Sequence, residues 1–373
     1  MTPLYTVRNE QDCHTLVERG AFLRLPALLQ AVAPSSRVFV LTDTRVADLH
    51  LDALRARFAE AGLPVLGAVA FTAGDQSKSA TSATAAWDAL LQCGFARRDV
   101  IVALGGGMVM DLAGFVAASF MRGVPYVNVP TTLLAQVDAG FGGKVAVNHG
   151  HAKNLIGAFH HPLSVIADPD LLDTLPARHF CAGMAEIIKV AVIGSPVLFA
   201  RVAGSDCAAL RNDSEGLLQI IAQAVDLKLA LVLADPFEQD LDRALNFGHT
   251  VGHALEAALG PDELLHGEGV AWGIAAACGL ARQRQLCSLQ CSEAILSCLE
   301  RYQLLAKLPR VAPDDLWVRL AQINLIRGRR TRWVLPVDLG EVTIVSDVTP
   351  EEFTQAWTAL QAGRVGARCP DRP

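Results

Sequence analysis

Residues 99–111 read DVIVALGGGMVMD, which joins a strand pattern, three glycines and the start of a helix pattern. The apolar run at 99–104 predicts a short buried strand, and the segment 111–121 predicts a helix. Three consecutive glycines at 105–107 lie between them, so the backbone can turn sharply and a diphosphate can approach main-chain N–H groups with no Cβ in the way. Because a GxGxxG fingerprint requires glycine where Met110 stands, a plain tight turn remains an alternative to phosphate binding.

The segments on either side of this turn alternate between strand and helix patterns. Strands are predicted at 36–41, 65–71, 99–104 and 126–129, and helices at 51–61, 80–94 and 111–121. This alternation predicts an α/β fold with a parallel sheet. From about Pro176 onward, helical patterns dominate, at 182–192, 214–234, 242–259, 267–284 and 288–302, with late strands at 332–335 and 342–345. We therefore predict an N-terminal α/β domain over residues 1–172 and a mainly helical domain over 173–373.

The composition excludes several classes of protein. Of 373 residues, 51% are hydrophobic and 19% charged, and the net charge is −6. The apolar content excludes a disordered chain, and the mild acidity argues against nucleic-acid and membrane-surface partners. Because no uninterrupted apolar run reaches about 18 residues, we expect no membrane span. No secretory leader is visible and the nine cysteines form no CxxC pair, so we expect a cytoplasmic protein with reduced thiols.

The segment 127–159, VNVPTTLLAQVDAGFGGKVAVNHGHAKNLIGAF, combines glycines and polar side chains with apolar neighbours. Lysine supplies positive charge to an anion site and asparagine supplies oriented donors, so we predict a ligand-facing loop. Its polar members include Thr131, Thr132, Asp138, Lys144, Asn148, Lys153 and Asn154. Asp111, just ahead of this segment, could bind a ribose or could be a carboxylate favoured by the helix dipole.

The pattern with the strongest chemical signal lies in the second half of the chain. His249 and His253 are four residues apart on one face of a predicted helix, and His266 follows thirteen residues later. Glu186 lies three residues before Lys189 on an otherwise apolar helix, where burying two charges is costly unless they meet partners. Two or three histidines with a carboxylate suit Zn²⁺ with a position open to substrate. Histidines at this spacing alone are more often structural, but His266 and Glu186 favour a metal site.

Several motifs, in this order, resemble those of the 3-dehydroquinate synthase-like sugar phosphate cyclases. They are GGGMVMDLAGFVAASFMRGVPYVNVPTTLLAQVD, GGKVAVN, KNLIGAF, AEIIK and NFGHTVGHALE. The resemblance is close over residues 74–269 and looser outside them. It implies an N-terminal Rossmann-like NAD-binding domain, a C-terminal helical metal-binding domain, an active site between them and a homodimer.

The resemblance also implies roles for individual residues. The NAD contacts are Asp43, Asp75, Lys78, Gly105, Gly106, Gly107, Asp111, Thr131 and Thr132, and we place Lys153 with them. The ligands of Zn²⁺, or of Co²⁺, are Glu186, His249 and His266, so that His253 becomes a substrate-side histidine. The substrate contacts are Asp138, Lys144, Asn154, Lys189, Lys228 and Asn246. Arg122 matches an arginine that reaches the phosphate in the neighbouring subunit.

The chemistry of these cyclases uses NAD⁺ without net oxidation. A ring hydroxyl of a sugar phosphate is oxidised to a ketone, which acidifies the adjacent C–H bond so that phosphate is eliminated. The hydride then returns, the ring opens, and an intramolecular aldol step closes a carbocycle.

The sequence departs from 3-dehydroquinate synthase at positions that bear on the substrate. Asp242, with Arg243 one residue later, stands where that enzyme has an arginine for the substrate carboxylate, and an aspartate would repel a carboxylate. The late Asp-Lys-Lys motif is absent, and Arg327, Arg329 or Arg330 are candidate substitutes. Met110 and the triplet 138–140 are more similar to the sedoheptulose 7-phosphate cyclases. Within that group, Asn246 together with His253 resembles the 2-epi-valiolone synthases.

Three other functions remain open at this point. An ordinary 3-dehydroquinate synthase would consume a heptulosonate phosphate. A metal-dependent polyol dehydrogenase of the glycerol dehydrogenase kind shares the two-domain plan and would accumulate NADH. A non-catalytic descendant would bind metal or NAD without releasing phosphate, although the retained Glu186, His249, His266 and Lys189 argue against it. The 2-deoxy-scyllo-inosose synthases fit less well around Lys144.

Overall fold

The computed structural model describes residues 12–34, 36–150, 152–240, 242–260, 263–326 and 331–363, with the side chains of 323–326 excluded. The chain divides into two compact units. Within the described residues, the first unit comprises the chain up to Thr131 together with Gly140–Asp168, and the second comprises Thr132–Ala139 together with the chain from Pro169 onward. The candidate cationic residues Arg327, Arg329 and Arg330 lie outside the described residues.

The first unit is built on a six-stranded sheet. Its strands are β1 (His14–Val17), β2 (Val38–Asp43), β3 (Val65–Phe71), β4 (Val100–Gly105), β5 (Tyr126–Pro130) and, later in the chain, β8 (Ser164–Ala167), in the order β1-β8-β5-β4-β2-β3. Every neighbouring pair is parallel. Its helices are α1 (Leu25–Val32), α2 (Thr44–Val46), α3 (Asp52–Glu60), α4 (Ala80–Gln92) and α5 (Gly107–Ser119). The predicted parallel α/β sheet is confirmed.

The glycine turn between β4 and α5 is as tight as the sequence predicts. A Cβ on Gly105 would lie 2.5 Å from a methyl group of Val109, so only glycine fits there. Gly106 is the N-cap of α5, and no side chain occupies its capping position. The backbone N–H of Thr131 donates to the carbonyl of Gly105 at 2.8 Å and ties the end of β5 to this turn.

We predicted a ligand-facing loop within residues 127–159. The prediction is wrong for the second half of this segment, which forms an antiparallel hairpin. Strands β6 (Lys144–His149) and β7 (Ala152–Phe159) pair from Lys144–Phe159 to His149–Ala152. Val145 and Val147 are buried while Lys144, Ala146 and Asn148 are less so, which is the period of two of a half-buried strand. The apolar Ala146 between these valines hides that alternation in the sequence.

The second unit is mainly helical, as predicted. Its helices are α6 (Ala177–Gly194), α7 (Pro196–Ala203), α8 (Cys207–Asn212), α9 (Ser214–Ala234), α10 (His249–Leu259), α11 (His266–Gln283), α12 (Leu289–Arg301), α13 (Pro313–Ile326) and α14 (Pro350–Gln361), and β9 (Trp333–Asp338) pairs with β10 (Glu341–Val345). The helix predicted from residue 242 is wrong at its start. Gly248 adopts a left-handed φ of 78°, so α10 begins only at His249.

Two further features bear on the sequence expectations. Cys181 on α6 and Cys207 on α8 form a disulfide with their Cα atoms 6.0 Å apart, so the expectation of reduced thiols is wrong for this pair. Among the described residues, α9 alone is long and apolar enough to cross a membrane. That measure rests on length and composition, which an internal helix of a globular domain also satisfies.

Candidate active site

Three helices of the second unit bring a carboxylate and two imidazoles together. Glu186 comes from α6, His249 from the first residue of α10 and His266 from the first residue of α11, and one ligand atom of each lies within 4.8 Å of the others. The Nε2 atoms of His249 and His266 lie 3.6 Å and 3.2 Å from Oε1 of Glu186. His253 lies beside His249 with the ring centroids 5.1 Å apart, but it is not part of this group.

Glycines allow the three helices to approach each other closely. A Cβ on Gly267 would lie 1.8 Å from the carbonyl oxygen of Ala182 on α6, and a Cβ on Gly273 would lie 1.8 Å from that of Gly248. Such contacts are possible only without a side chain. They set the backbone positions from which the two histidines meet Glu186.

The charges around Glu186 explain its ionisation. Burial alone would raise the pKa of Glu186, but the Lys189 ammonium one helical turn away, together with His249 and His266, lowers that pKa to about 2. Burial and the same ammonium lower the pKa of His249 to about 4. For His266, burial is outweighed by the carboxylates of Glu256 and Glu186, which raise its pKa to about 10. Glu186 is therefore ionised and His249 neutral at neutral pH.

The donor set fits a divalent transition metal. Both oxygens of Glu186 are buried without a hydrogen bond of acceptable geometry, although Lys189 forms an ion pair with Oε2. A buried carboxylate facing two imidazole nitrogens is costly unless a cation joins them. One carboxylate with two histidines is a donor set of Zn²⁺, and it leaves coordination positions for a substrate.

A second buried ion pair lies in the same unit. The Nζ of Lys228, on α9, donates to Oδ1 of Asp138 at 2.7 Å. Asp138 belongs to a short π-helical turn, Ala135–Ala139, which belongs to the second unit and not to the first. Both Lys189 and Lys228 are buried, so the unit concentrates positive charge next to two carboxylates. Asn246 lies in a single 3₁₀ turn just before α10 and is partly buried.

In the first unit, the residues predicted to bind NAD follow the carboxyl ends of adjacent strands. Asp43 ends β2 and accepts the N–H of Val46 at 3.0 Å, Gly106 follows β4, and Thr131 follows β5. In parallel α/β sheets this edge is where ligands bind. Thr132, which belongs to the second unit, accepts the N–H of Ala135 and caps the π-helical turn.

A polar cluster lies close to this edge. Lys78 donates to Asp111 at 3.0 Å and to Asn154 at 2.5 Å, and it pairs with Asp75 at 3.5 Å. Lys153 pairs with the same Asp75 at 3.4 Å. The structure therefore brings together Asp75, Lys78, Asp111 and Lys153, four of the residues predicted to bind NAD. It also places Asn154, which was predicted to contact substrate, in this cluster.

Arg122 and Lys144 also belong to the first unit, and the positive charge of Lys144 acts on the carboxyl of Asp111, opposing the rise of its pKa. Arg122 has a left-handed φ of 65° after α5 and lines a cavity of about 430 Å³ with Phe159 and His160. Lys144 is an exposed residue at the start of β6. The role predicted for Arg122, reaching the phosphate in a neighbouring subunit, stays a prediction.

Sequence reasoning missed two contacts of the second unit. Oε1 of Glu256 lies 2.7 Å from Nδ1 of His266. Glu256 is seven residues after His249, which is the spacing of one helical face and was the available signal. Asp242 accepts a hydrogen bond from Nε of Arg332, a partner ninety residues away that no local pattern indicates. The neighbouring Arg243 pairs with Glu238.

Comparison with known proteins identifies relatives across most of the chain. Residues 68–182 match the family model described as 3-dehydroquinate synthase N-terminal, and residues 183–322 match the one described as 3-dehydroquinate synthase C-terminal. A 2-epi-valiolone synthase of Actinosynnema mirum is 46% identical over 331 residues, which cover 87% of this chain and 86% of that protein. A 3-dehydroquinate synthase of Symbiobacterium thermophilum is 41% identical over 356 residues, covering 95% and 99%.

A solved structure shows the same fold. ValA, a 2-epi-5-epi-valiolone synthase from Streptomyces hygroscopicus subsp. jinggangensis 5008 with NAD⁺ and Zn²⁺ bound, superposes with a TM-score of 0.89 at 29% identity. The match covers 96% of this chain and 99% of that one.

Proposed function

The chain belongs to the 3-dehydroquinate synthase family of sugar phosphate cyclases, and we propose that it converts sedoheptulose 7-phosphate into 2-epi-valiolone and inorganic phosphate. NAD and Zn²⁺ are the proposed cofactors, with Co²⁺ as an alternative metal, because the donor set of Glu186, His249 and His266 suits such an ion. The proposal makes the enzyme a phosphate-eliminating carbon–oxygen lyase.

The observation that carries the choice of substrate is the charge at position 242. The carboxylate of Asp242 pairs with the guanidinium of Arg332. Residue 242 therefore brings a negative charge, and not a cation, to the place where a substrate carboxylate would bind. A carboxylate of a heptulosonate substrate would be repelled by Asp242, whereas the uncharged end of a heptulose would not. The 46% identity to a 2-epi-valiolone synthase supports the same choice.

Most of the proposed NAD contacts belong to the first unit, and the proposed metal ligands belong to the second. When bound, NAD accepts and returns a hydride, and the metal acts as a Lewis acid on the substrate hydroxyl. Lys189 and Lys228 are buried cations, and buried cations stabilise the negative charge that develops as phosphate leaves. Asp138 holds the ammonium of Lys228 in place, and His253 lies beside the metal ligands, where it can exchange a proton with a substrate hydroxyl.

In the first unit, Asp111 and Lys78 form a hydrogen-bonded ion pair, and we assign both side chains to polar contacts with NAD. The substrate's own phosphate takes the proton that leaves the carbon next to the transient ketone. Because the hydride returns in each turnover, the products are one carbocycle and one phosphate without net oxidation.

The deciding experiment is a pairwise substrate assay. The purified protein is incubated with NAD⁺, Zn²⁺ and either sedoheptulose 7-phosphate or 3-deoxy-arabino-heptulosonate 7-phosphate, and released phosphate is measured. We expect phosphate and a carbocycle from the first substrate, without lasting NADH absorbance, and the configuration of the product is determined by NMR. Consumption of the heptulosonate alone would show that the chain is a 3-dehydroquinate synthase.

That second function has its own support. The relative from Symbiobacterium thermophilum named 3-dehydroquinate synthase matches 95% of this chain at 41% identity. A polyol dehydrogenase is a third outcome of the same assay, and it would accumulate NADH from an unphosphorylated polyol.

We also propose that the protein acts as a homodimer in the cytoplasm. Arg122 lines a cavity of about 430 Å³ on the first unit, and Phe159, next to it, is 43% exposed. A second copy seated there would bury this apolar side chain and bring Arg122 towards its neighbour. Light scattering coupled to gel filtration, on the wild type and on Phe159→Asp, tests this part, and a monomeric wild type would contradict it.

A further inference from the structure

Glu256 is a buried carboxylate beside the candidate metal centre. It lies on α10, two helical turns after His249, and is 4% exposed. Its Oε1 is 2.7 Å from Nδ1 of His266, the first residue of α11. A Cβ on Gly269 of α11 would lie 3.4 Å from both Cγ and Oε1 of Glu256, so this glycine leaves room for the side chain. The fold therefore makes room for a buried charge that faces one imidazole nitrogen.

The two candidate histidine ligands are held in parallel ways but by acceptors of different charge. Nδ1 of His249 lies 3.1 Å from the backbone carbonyl of Phe247, a neutral acceptor. Nδ1 of His266 faces the carboxylate of Glu256 instead. In both rings Nδ1 is occupied and Nε2 is the atom that faces Glu186. The hydrogen bond at Nδ1 determines which nitrogen has the lone pair available to a metal.

We propose that Glu256 is a positioning residue of the metal centre: its carboxylate accepts the Nδ1–H of His266, fixes the ring, and directs the Nε2 lone pair to the divalent metal. The inference rests on the proposed metal site and adds a residue to it. A carboxylate behind a metal-bound histidine also makes that imidazole a stronger donor, and losing such a partner typically weakens metal binding by about 10–100-fold.

A purely structural role for Glu256 makes a different prediction. If the carboxylate only stabilises the contact between α10 and α11, its removal lowers the stability of the metal-free and metal-loaded protein equally. If it positions His266, its removal reduces the additional stability that metal binding confers, because that increment depends on the metal dissociation constant. Metal affinity and the metal-induced rise in melting temperature therefore separate the two roles without any activity measurement.

The experiment compares Glu256→Gln, Glu256→Ala and a matched control, Glu268→Gln. Glu268 lies in the same first turn of α11, where it pairs with Arg178 and accepts the N–H of Leu265. Among the described residues it forms no hydrogen bond or ion pair with His266. Zn²⁺ affinity is measured by competition with a chromogenic chelator, and melting temperatures are measured with and without Zn²⁺. The full chain is used throughout.

We expect Glu256→Ala to weaken Zn²⁺ binding by about 100-fold and Glu256→Gln by about 10-fold, because an amide oxygen still accepts the N–H but has no charge. Glu268→Gln should change the affinity less than about twofold, because it removes only the charge that pairs with Arg178 while its amide oxygen still accepts the N–H of Leu265. If Glu256→Ala does not fold, the isosteric Glu256→Gln carries the test by itself.

Two results overturn the inference, and they are distinguishable. Wild-type affinity and an unchanged metal-induced rise in melting temperature in Glu256→Gln would assign Glu256 a structural role only. A wild-type protein that binds no Zn²⁺ or Co²⁺ would overturn the metal centre of the proposed function, and the inference with it.

Discussion

The ammonium of Lys228 lies 2.7 Å from the carboxylate of Asp138, and the two side chains are 5% and 24% exposed. Burial alone would raise the pKa of Asp138, but the charges of Lys228 and Lys189 hold that pKa well below its ordinary range. Asp138 is therefore ionised at neutral pH and in mild acid. A carboxylate in this state fixes the position of the Lys228 ammonium.

Replacing Asp138 with asparagine should lower the free energy of unfolding by about 3 kcal/mol at neutral pH, because it removes the carboxylate that faces a buried cation. The pair contributes stability above the ordinary aspartate pKa of about 4, and that contribution is lost as the pH falls through the lowered folded pKa. The difference between wild type and Asp138→Asn should therefore shrink in acid. Urea unfolding at neutral pH and below about pH 4 measures it.

Asp226 provides a control for this pair because it is an exposed residue on the same helix, α9. Asp226→Asn should change the stability by less than about 0.5 kcal/mol at either pH. A loss in Asp138→Asn that stayed constant across the pH range would mean that the ion pair is not its cause.

Changing a ligand of the metal centre should remove metal and activity together. Glu186→Gln keeps the shape of the side chain but removes the charge that faces both histidines, and His266→Ala removes one of the three donors. We expect each variant to be purified with less than about a tenth of the wild-type metal content, since each lacks one of three protein ligands. Metal content by mass spectrometry and phosphate release from sedoheptulose 7-phosphate are the measurements. Activity that persisted without bound metal would refute the ligand assignment.

Local patterns in the sequence predicted much of the fold. The strand at 65–71 and the helix at 214–234 are observed with the predicted bounds, β3 (Val65–Phe71) and α9 (Ser214–Ala234). The start of α10 was misplaced because a glycine inside a helical pattern gives no local sign of the left-handed turn that Gly248 makes. The pairing of β1 with β8 joins residues about 150 positions apart, which periodicity cannot reveal.

The sequence indicated which residues form the candidate site, but it did not indicate which of the histidines lies against Glu186. Two histidines at helical spacing could both have been ligands, and only the approach of α11 to α10 places His266, and not His253, against Glu186. The same approach creates the contact between Glu256 and His266, which depends on Gly269 leaving room. These contacts arise from tertiary packing, and sequence spacing does not carry them.

The pair formed by Lys78 and Asp111 should control NAD binding without affecting the metal. Burial raises the pKa of Asp111 even though the Lys78 ammonium lies 3.0 Å away and opposes the rise. Asp111→Asn should weaken NAD⁺ binding by about tenfold, the value of a hydrogen bond to a charged group. Lys78→Met should raise the pKa of Asp111 further, so that NAD⁺ affinity falls as the pH decreases, more steeply than in the wild type.

Calorimetric titration with NAD⁺ at neutral pH and at roughly two units lower measures both effects. Bound Zn²⁺ is the internal control, because the proposed ligands belong to the second unit and this pair belongs to the first. Equal NAD⁺ affinity in wild type and Asp111→Asn would remove Asp111 from the cofactor site.

The ion pair between Asp242 and Arg332 leads to a prediction about substrate choice. Asp242→Arg replaces the carboxylate with a second guanidinium beside Arg332, and this creates a site with two cations where the wild type has one cation and one carboxylate. The variant should bind 3-deoxy-arabino-heptulosonate 7-phosphate at least as tightly as the wild type does, because its carboxylate then meets two cations. Its kcat/KM for sedoheptulose 7-phosphate should fall by about tenfold, since two guanidinium groups that repel each other have replaced an ion pair.

Asp242→Asn separates the two causes, because it removes the negative charge without adding a positive one. It should relieve the repulsion of the heptulosonate carboxylate only in part, so its KM for that substrate should lie between those of the wild type and Asp242→Arg. KM values for both substrates, measured by phosphate release on all three proteins, give the comparison. A large loss of heptulosonate binding in Asp242→Arg would mean that residue 242 does not face the substrate end that distinguishes the two sugars, and the argument for a heptulose substrate would then lack its structural basis.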